Sequence, residues 1–308
     1  MAVFRLIRFP NLFVIAVTQW LIYDHVFGQA YEGLGLSPVL EPLEALLLIA
    51  ATLFVAAGGY IVNDLEDWEI DLINRRKESV IVGRVISEGS VRWLYFCCVA
   101  AGFFCSLLLA IWQHKLQLLW LYPVTALLLA WYPRYLKRSP WVGNVLVALF
   151  CAGTAGLVWL AEWDQWVQMG QLHAPQQARV SQVLMVFMLY AFLATWIREL
   201  IKDLEDEVGD REQGRRTFPI IFGRSWAHRF ITGMGLLLIA ALLGPVLLRW
   251  DGFLNLPVFA LAVSLVGWVL ILLWRLRMPP TVKLYGILSM HWKFFLLGGL
   301  FLLFLYQL

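Results

Sequence analysis

The chain has 308 residues, of which 61% are hydrophobic and only 15% charged. Soluble domains are about 45–50% apolar and about 25% charged, so a water-soluble globular domain is excluded. The formal net charge of +3 says little until the basic residues are placed along the chain.

The apolar residues come in runs of roughly twenty, the length that crosses about 30 Å of hydrocarbon. In chain order they predict nine transmembrane helices, near 4–27, 43–63, 92–112, 117–133, 141–161, 181–203, 227–249, 254–275 and 288–308. Arg5 and Arg8 precede the first run, which reads as a retained span rather than a cleaved leader. The expected fold is all-α: a single polytopic membrane domain over 1–308, with the nine helices around a central cavity.

With the N-terminus and the even-numbered connections on one side, only Lys115, Arg179 and Arg249 of the 24 Lys and Arg fall on the other. The positive-inside rule then predicts a cytoplasmic N-terminus and an outer C-terminus, in the cell (inner) membrane. The outer connections carry Glu32, Glu41, Glu162 and Asp164 and read as ordinary short loops. Cys97, Cys98, Cys105 and Cys151 all lie inside apolar runs, without metal-ligand spacing, and predict no disulfide framework.

The second helix ends in "YIVNDLEDWEID", which puts Asp64, Glu66, Asp67, Glu69 and Asp71 within eight residues. The sixth ends in "RELIKDLEDEVGD". Asp64, Asp67 and Asp71 are spaced three and four apart, and so are Asp203, Asp206 and Asp210. If the helices continue that far, each set lies on one helix face. Asn63, Asp67 and Asp71 share a face too, at spacing four and four.

Both clusters follow even-numbered helices, so both are expected at the cytoplasmic side. A helix C-terminus is a poor place for anions, because its dipole is negative there. Facing carboxylates would also repel each other. A hard cation resolves the conflict, since carboxylate oxygens select Mg²⁺ or Ca²⁺ and Mg²⁺ commonly bridges them to phosphate oxygens.

Basic residues that could hold a diphosphate are grouped on the same predicted side. They are Arg8, Arg75, Arg76, Lys77, Arg84, Arg134, Lys137, Arg138, Lys202 and Arg211. Arginine forks and lysine point charges bind phosphate oxygens directly.

At this point the sequence resembles the UbiA superfamily of intramembrane prenyltransferases. "NDLEDWEID" matches that family's NDxxDxxxD motif, and "KDLEDEVGD" resembles its second acidic motif. "YPRYLKR" is similar to its tyrosine–lysine segment, with Tyr132 and Lys137 five apart, a wider gap than usual. "RFPN" at 8–11 and "VGN" at 142–144 fit as well. One departure is "NRRKESVIVG", which lacks the two prolines often found after the first motif.

The resemblance implies Mg²⁺ held by Asn63, Asp67, Asp206 and Asp210, with Asp71 and Asp203 assisting catalysis and Asp64 a further acid of the motif. It implies diphosphate binding by Arg8, Asn11, Lys137, Lys202, Tyr132 and Arg75. The expected partners are a prenyl diphosphate, a hydrophobic acceptor and membrane lipid, with no nucleic acid. The second motif and the following "TFPIIFG" most resemble the branch that transfers geranylgeranyl to geranylgeranylglyceryl phosphate. One alternative is an aromatic acceptor in quinone-type synthesis. A reading from another class is a divalent-cation transporter. Transport sites usually lie near the bilayer midplane, whereas these acids close their spans.

Overall fold

The computed structural model describes residues 1–73, 81–137, 139–212 and 214–306, with the side chains of 69–73 left out. Arg75, Arg76, Lys77, Arg138 and the side chain of Asp71 therefore lie outside the described residues. Helix accounts for every extended element among the described residues, and the sole strand-like feature is an isolated bridge between Val82 and Ile86.

Eight of these helical stretches are long and apolar enough to cross a membrane: Pro42–Trp68, Glu88–Trp112, Leu116–Leu136, Val142–Ala161, Ala174–Glu212, Arg224–Leu247, Leu256–Arg275 and Val282–Leu305. Each matches an expected span. The first expected helix, 4–27, is instead divided. Its pieces are α1 (Ala2–Leu6), α2 (Phe9–Trp20) and a π-helix (Leu21–Gly28), which leads into α3 (Gln29–Glu32). Arg8 makes the first break, with a left-handed φ of 50°.

The chain forms two compact units. The first comprises Met1–Trp20 and Leu40–Arg138. It contains α1, α2, α4 (Pro42–Ile73), α5 (Glu88–Trp112) and α6 (Leu121–Trp131), followed by a π-helix over Tyr132–Leu136. Leu6, Leu12, Ala57, Ile61, Ile81, Val82, Val91 and Cys98 form its core. Ser87 caps α5 by accepting the Ser90 N–H at 3.3 Å. At Gly102, an added Cβ would lie 2.3 Å from the Tyr122 hydroxyl and 2.9 Å from Phe54 Cβ. Only glycine lets α4, α5 and α6 approach this closely, the device that membrane helices commonly use.

The second unit comprises Leu21–Val39 and Ser139–Leu308. It is built on α9 (Ala174–Glu212), against which α7 (Val142–Ala161), α8 (Trp163–Leu172), α10 (Phe218–Phe222), α11 (Arg224–Leu247) and α13 (Val282–Leu305) pack, with α12 (Leu256–Arg275) beyond. Gly298 and Gly299 let α13 meet Tyr190 of α9, whose hydroxyl donates to the Phe295 carbonyl. Gly223 turns the chain between α10 and α11 at φ 85°, a conformation that side chains resist.

Two expectations about the outer connections need correction. Residues 163–172 form α8 rather than a plain loop. Glu162 is fully buried and accepts the Val39 N–H at 2.8 Å. Its carboxylate pins the segment ahead of α4, and together with burial it pushes the Tyr31 phenol above its ordinary range. All four cysteines are free, with Cys98 in the core and Cys97 and Cys151 exposed.

Candidate active site

Both acidic motifs are helical, as their spacing predicts. α4 runs 32 residues and α9 runs 39. At 1.5 Å per residue these are about 48 and 58 Å long, well beyond a hydrocarbon core of about 30 Å. Each helix therefore carries its acids on an extension of the span.

In the first unit, Asn63 and Asp67 sit one turn apart on α4. The Asn63 amide donates to Asp67 Oδ2 at 3.2 Å. Lys137 donates to the same carboxylate oxygen, and its Nζ lies 3.5 Å from Asn63 Oδ1. Asp67 is buried, so without a cation its charge would be costly. The lysine is positioned by the π-helix, where the Lys137 N–H donates to the Tyr132 carbonyl at 2.8 Å. The wide Tyr132–Lys137 gap is thus one turn of π-helix.

Asp64 points elsewhere on α4. Arg8 donates to it at 3.2 Å and lies over the Tyr60 ring, 4.9 Å from its centroid. Asn11 reaches the Tyr60 hydroxyl at 3.5 Å. Arg134 pairs with Glu66 at 2.7 Å. Of the expected residues in this unit, Asn63, Asp67 and Lys137 are in mutual contact. Arg8 and Asp64 form a second pair, while Tyr132 contributes through its backbone. Asp71 lies in the helix, with its side chain undescribed.

In the second unit, Asp203, Asp206 and Asp210 follow one stripe of α9. Asn144, in the first turn of α7, donates to Asp203 Oδ2 at 2.7 Å. Asp210 is buried and accepts from Arg215 at 3.3 Å. Glu207 is buried between two guanidinium groups: Arg211 donates at 3.0 Å, and Arg224 of α11 also donates. Asp206 and Lys202 are half-buried on the same helix. Trp141 packs edge-on against Phe218 and Phe230, at centroid distances of 4.7 and 5.1 Å, and so seats α10.

Tyr60, Glu207 and Arg224 were not singled out from the sequence, and Asn144 only as part of "VGN". The Tyr60 contacts to Arg8 and Asn11, and the Asn144–Asp203 bond, join residues about fifty or more apart, where spacing gives no signal; the Glu207–Arg211 pair, at i,i+4, was legible and was passed over. Glu207 sits within the second motif but one step off its acidic stripe.

These groups can hold a divalent ion. Asn63 Oδ1 and Asp67 Oδ2 already share one cation, the Lys137 ammonium, and both are hard oxygen donors of the kind Mg²⁺ prefers. Among the described residues, neither unit gathers three His, Cys, Asp or Glu side chains into a cluster. Donors in either unit alone would leave coordination positions for water or substrate oxygens.

The model of the UbiA prenyltransferase family matches residues 30–297. The chain belongs to that family. With eight helices long and apolar enough to cross a membrane, this UbiA member is an integral membrane protein. Among curated relatives, it is 33% identical over 235 residues to the digeranylgeranylglyceryl phosphate synthase of Haloquadratum walsbyi, covering 76% of this chain and 73% of the relative. It is 32% identical over 248 residues to that of Methanopyrus kandleri, covering 80% of each. A solved structure of a digeranylgeranylglyceryl phosphate synthase matches with a TM-score of 0.64 at 21% identity, over 98% of this chain and 96% of that one. A UbiA homologue from Archaeoglobus fulgidus, bound to DMAPP and Mg²⁺, matches with a TM-score of 0.54 at 15% identity, over 98% and 99%. At these identities the two structural likenesses speak to the fold.

Proposed function

We propose that this UbiA-family protein transfers a geranylgeranyl group from its diphosphate to the hydroxyl of geranylgeranylglyceryl phosphate, in a Mg²⁺-dependent reaction. The observation that carries this reading is the product, digeranylgeranylglyceryl phosphate, in the name of relatives more than 30% identical over three quarters of the chain; taking one geranylgeranyl group from that product gives the acceptor. The Mg²⁺ requirement is supported by the oxygen donors around Lys137 and by the ligands of the Archaeoglobus homologue.

The metal ligands proposed are, in the first unit, Asn63 and Asp67 of α4 and, in the second unit, Asp206 and Asp210 of α9. When bound, Mg²⁺ neutralises diphosphate charge and eases departure of the leaving group. For the diphosphate, the residues proposed are Lys137, Arg8, Asn11, Tyr132 and Arg75 in the first unit and Lys202 in the second. As the allylic C–O bond breaks, its electron pair leaves with the diphosphate, and these cations stabilise the charge that develops. The acceptor hydroxyl oxygen bonds to the allylic carbon, and its proton passes to a carboxylate, for which Asp71 and Asp203 are proposed. Asn144 holds Asp203 in place for that role. Burial in a helical membrane protein keeps water from trapping the allylic cation.

The basic residues favour a cytoplasmic N-terminus and cytoplasmic acids, in the cell (inner) membrane. The test is incubation of purified protein with labelled prenyl diphosphates, Mg²⁺ and an acceptor panel. Geranylgeranyl diphosphate with geranylgeranylglyceryl phosphate is the expected productive pair. Efficient prenylation of 4-hydroxybenzoate or a naphthoate, with no use of the glyceryl phosphate, overturns the assignment.

A further inference from the structure

Within the second unit, α12 and α13 leave a groove of about 430 Å³ open on one side. Its walls are Ser264, Gly267, Trp268, Ile271, Leu272 and His291, and Arg275 stands at the end of α12. From Ser264 to Arg275 the groove follows eleven residues of helix, about 16 Å. None of the residues named for the proposed reaction lines it.

Three features of this groove point to one kind of occupant. It is apolar along its length, and both helices are long and apolar enough to span a membrane. Water is a poor filling for such a surface, whereas a hydrocarbon chain matches it in shape and chemistry. One end is cationic: the guanidinium of Arg275 has no hydrogen bond or ion pair among the described residues, and Arg277 and Lys283 flank the same end. The charge is also one-sided, because no Asp or Glu occurs from Gly252 to Leu308. Glu205 of α9 approaches α13 at Gly286, which is not a lining residue. His291 packs edge-on against Trp268, 6.3 Å between centroids, and supplies the α13 wall of the groove.

We infer that the α12–α13 groove binds a phosphate-headed membrane lipid, with the phosphate on Arg275 and one hydrocarbon chain laid along Gly267 and Trp268. An arginine fork suits a phosphate, and a chain confined beside it raises the lifetime of that contact. A neutral lipid would gain the chain contact without the charge. Free phosphate would gain the charge without the chain.

The experiment uses the full chain reconstituted with equal parts phosphatidylglycerol and diacylglycerol, followed by native mass spectrometry of the lipid retained. Wild type is expected to keep phosphatidylglycerol at least tenfold over diacylglycerol, and excess inorganic phosphate should not displace it. Arg275→Gln should bring that ratio close to one. Gly267→Leu should cut retention of both lipids at least fivefold, because a Cβ at Gly267 meets no atom within 4 Å and the larger side chain can extend into the groove. Ser264→Leu fills the same groove and serves if the first variant does not fold. The inference is overturned if wild type shows no preference, if inorganic phosphate displaces the lipid, or if folded Arg275→Gln and groove-filling variants retain lipid as wild type does. That last result would mean bulk annular lipid. Activity enters none of these outcomes, so the proposed reaction and this site stand or fall separately.

Discussion

The Lys137 ammonium is bonded to the Asp67 carboxylate, seventy residues away along the chain. The lysine thus sets a cation against a buried acid, at the position where the proposed reaction calls for a metal ligand. Two different cations are therefore assigned to one carboxylate. On the proposed function, Lys137 pairs with Asp67 in the free protein and would be available to the diphosphate if Asp67 held Mg²⁺.

Lys137→Met should lower the stability of the metal-free protein by about 1–3 kcal/mol, the usual result of leaving a buried acceptor without its donor; the pair is only partly buried, which keeps the loss below that of a fully buried ion pair. Added Mg²⁺ should recover more stability in this variant than in wild type, because ligand binding stabilises the state that binds it. Thermal unfolding in detergent, with and without Mg²⁺, measures both. An identical Mg²⁺ shift in the two proteins would contradict the shared-carboxylate reading.

Asp67→Asn and Asp206→Asn should each reduce prenyl transfer by more than about a hundredfold, since a metal ligand supports several kcal/mol of transition-state stabilisation. EDTA should abolish wild-type transfer, and Mg²⁺ should restore it. Steady-state kinetics on folded protein checks this, and full activity in EDTA would rule out the proposed metal.

Asn144→Ala removes the donor from Asp203. The expected cost is about 1–3 kcal/mol of stability. Transfer should fall roughly tenfold to a hundredfold, as for other misplaced catalytic groups. The fall should appear in kcat rather than in the KM for prenyl diphosphate, and Asn144→Gln should rescue part of it. An equal change in both parameters would point to a general loss of structure.

Gly102→Ala should destabilise the first unit by at least about 1–3 kcal/mol, because its methyl group would overlap the Tyr122 hydroxyl. Pairing it with Tyr122→Ala should give a smaller loss than the sum of the two single changes. Thermal melting of the three variants settles the coupling.

Single cysteines at Ser87 and Gln171, both exposed, test the orientation in a background lacking the native cysteines. With an impermeant thiol reagent on intact cells, Gln171 should label and Ser87 should not. The reverse pattern would invert the orientation.

Hydrophobic runs made eight of the nine expected spans legible, because crossing a bilayer demands length and apolarity, which sequence shows directly. The three-and-four spacing likewise revealed the acidic stripes on α4 and α9. What stayed hidden depends on pairs distant in the chain. Nothing local marks Glu162 as buried beneath the Val39 N–H, or joins Asn144 to Asp203. The break at Arg8 was missed for another reason: Pro10, which favours a helix start, sits two residues beyond it, but one helix was drawn across both. α8 was missed because its mixed pattern follows a span so closely that it read as a connection.

The length of α9 has a consequence for the membranes in which this protein can work. The helix exceeds the hydrocarbon thickness by nearly its own half, and Asp203, Asp206 and Asp210 occupy its last turns. Biological bilayers differ in thickness by only a few ångströms. Such a change falls on the apolar middle of α9 and not on its acidic last turns. The spacing of the acids along the helix is thereby independent of bilayer thickness, because helix rise sets it and lipid contact does not.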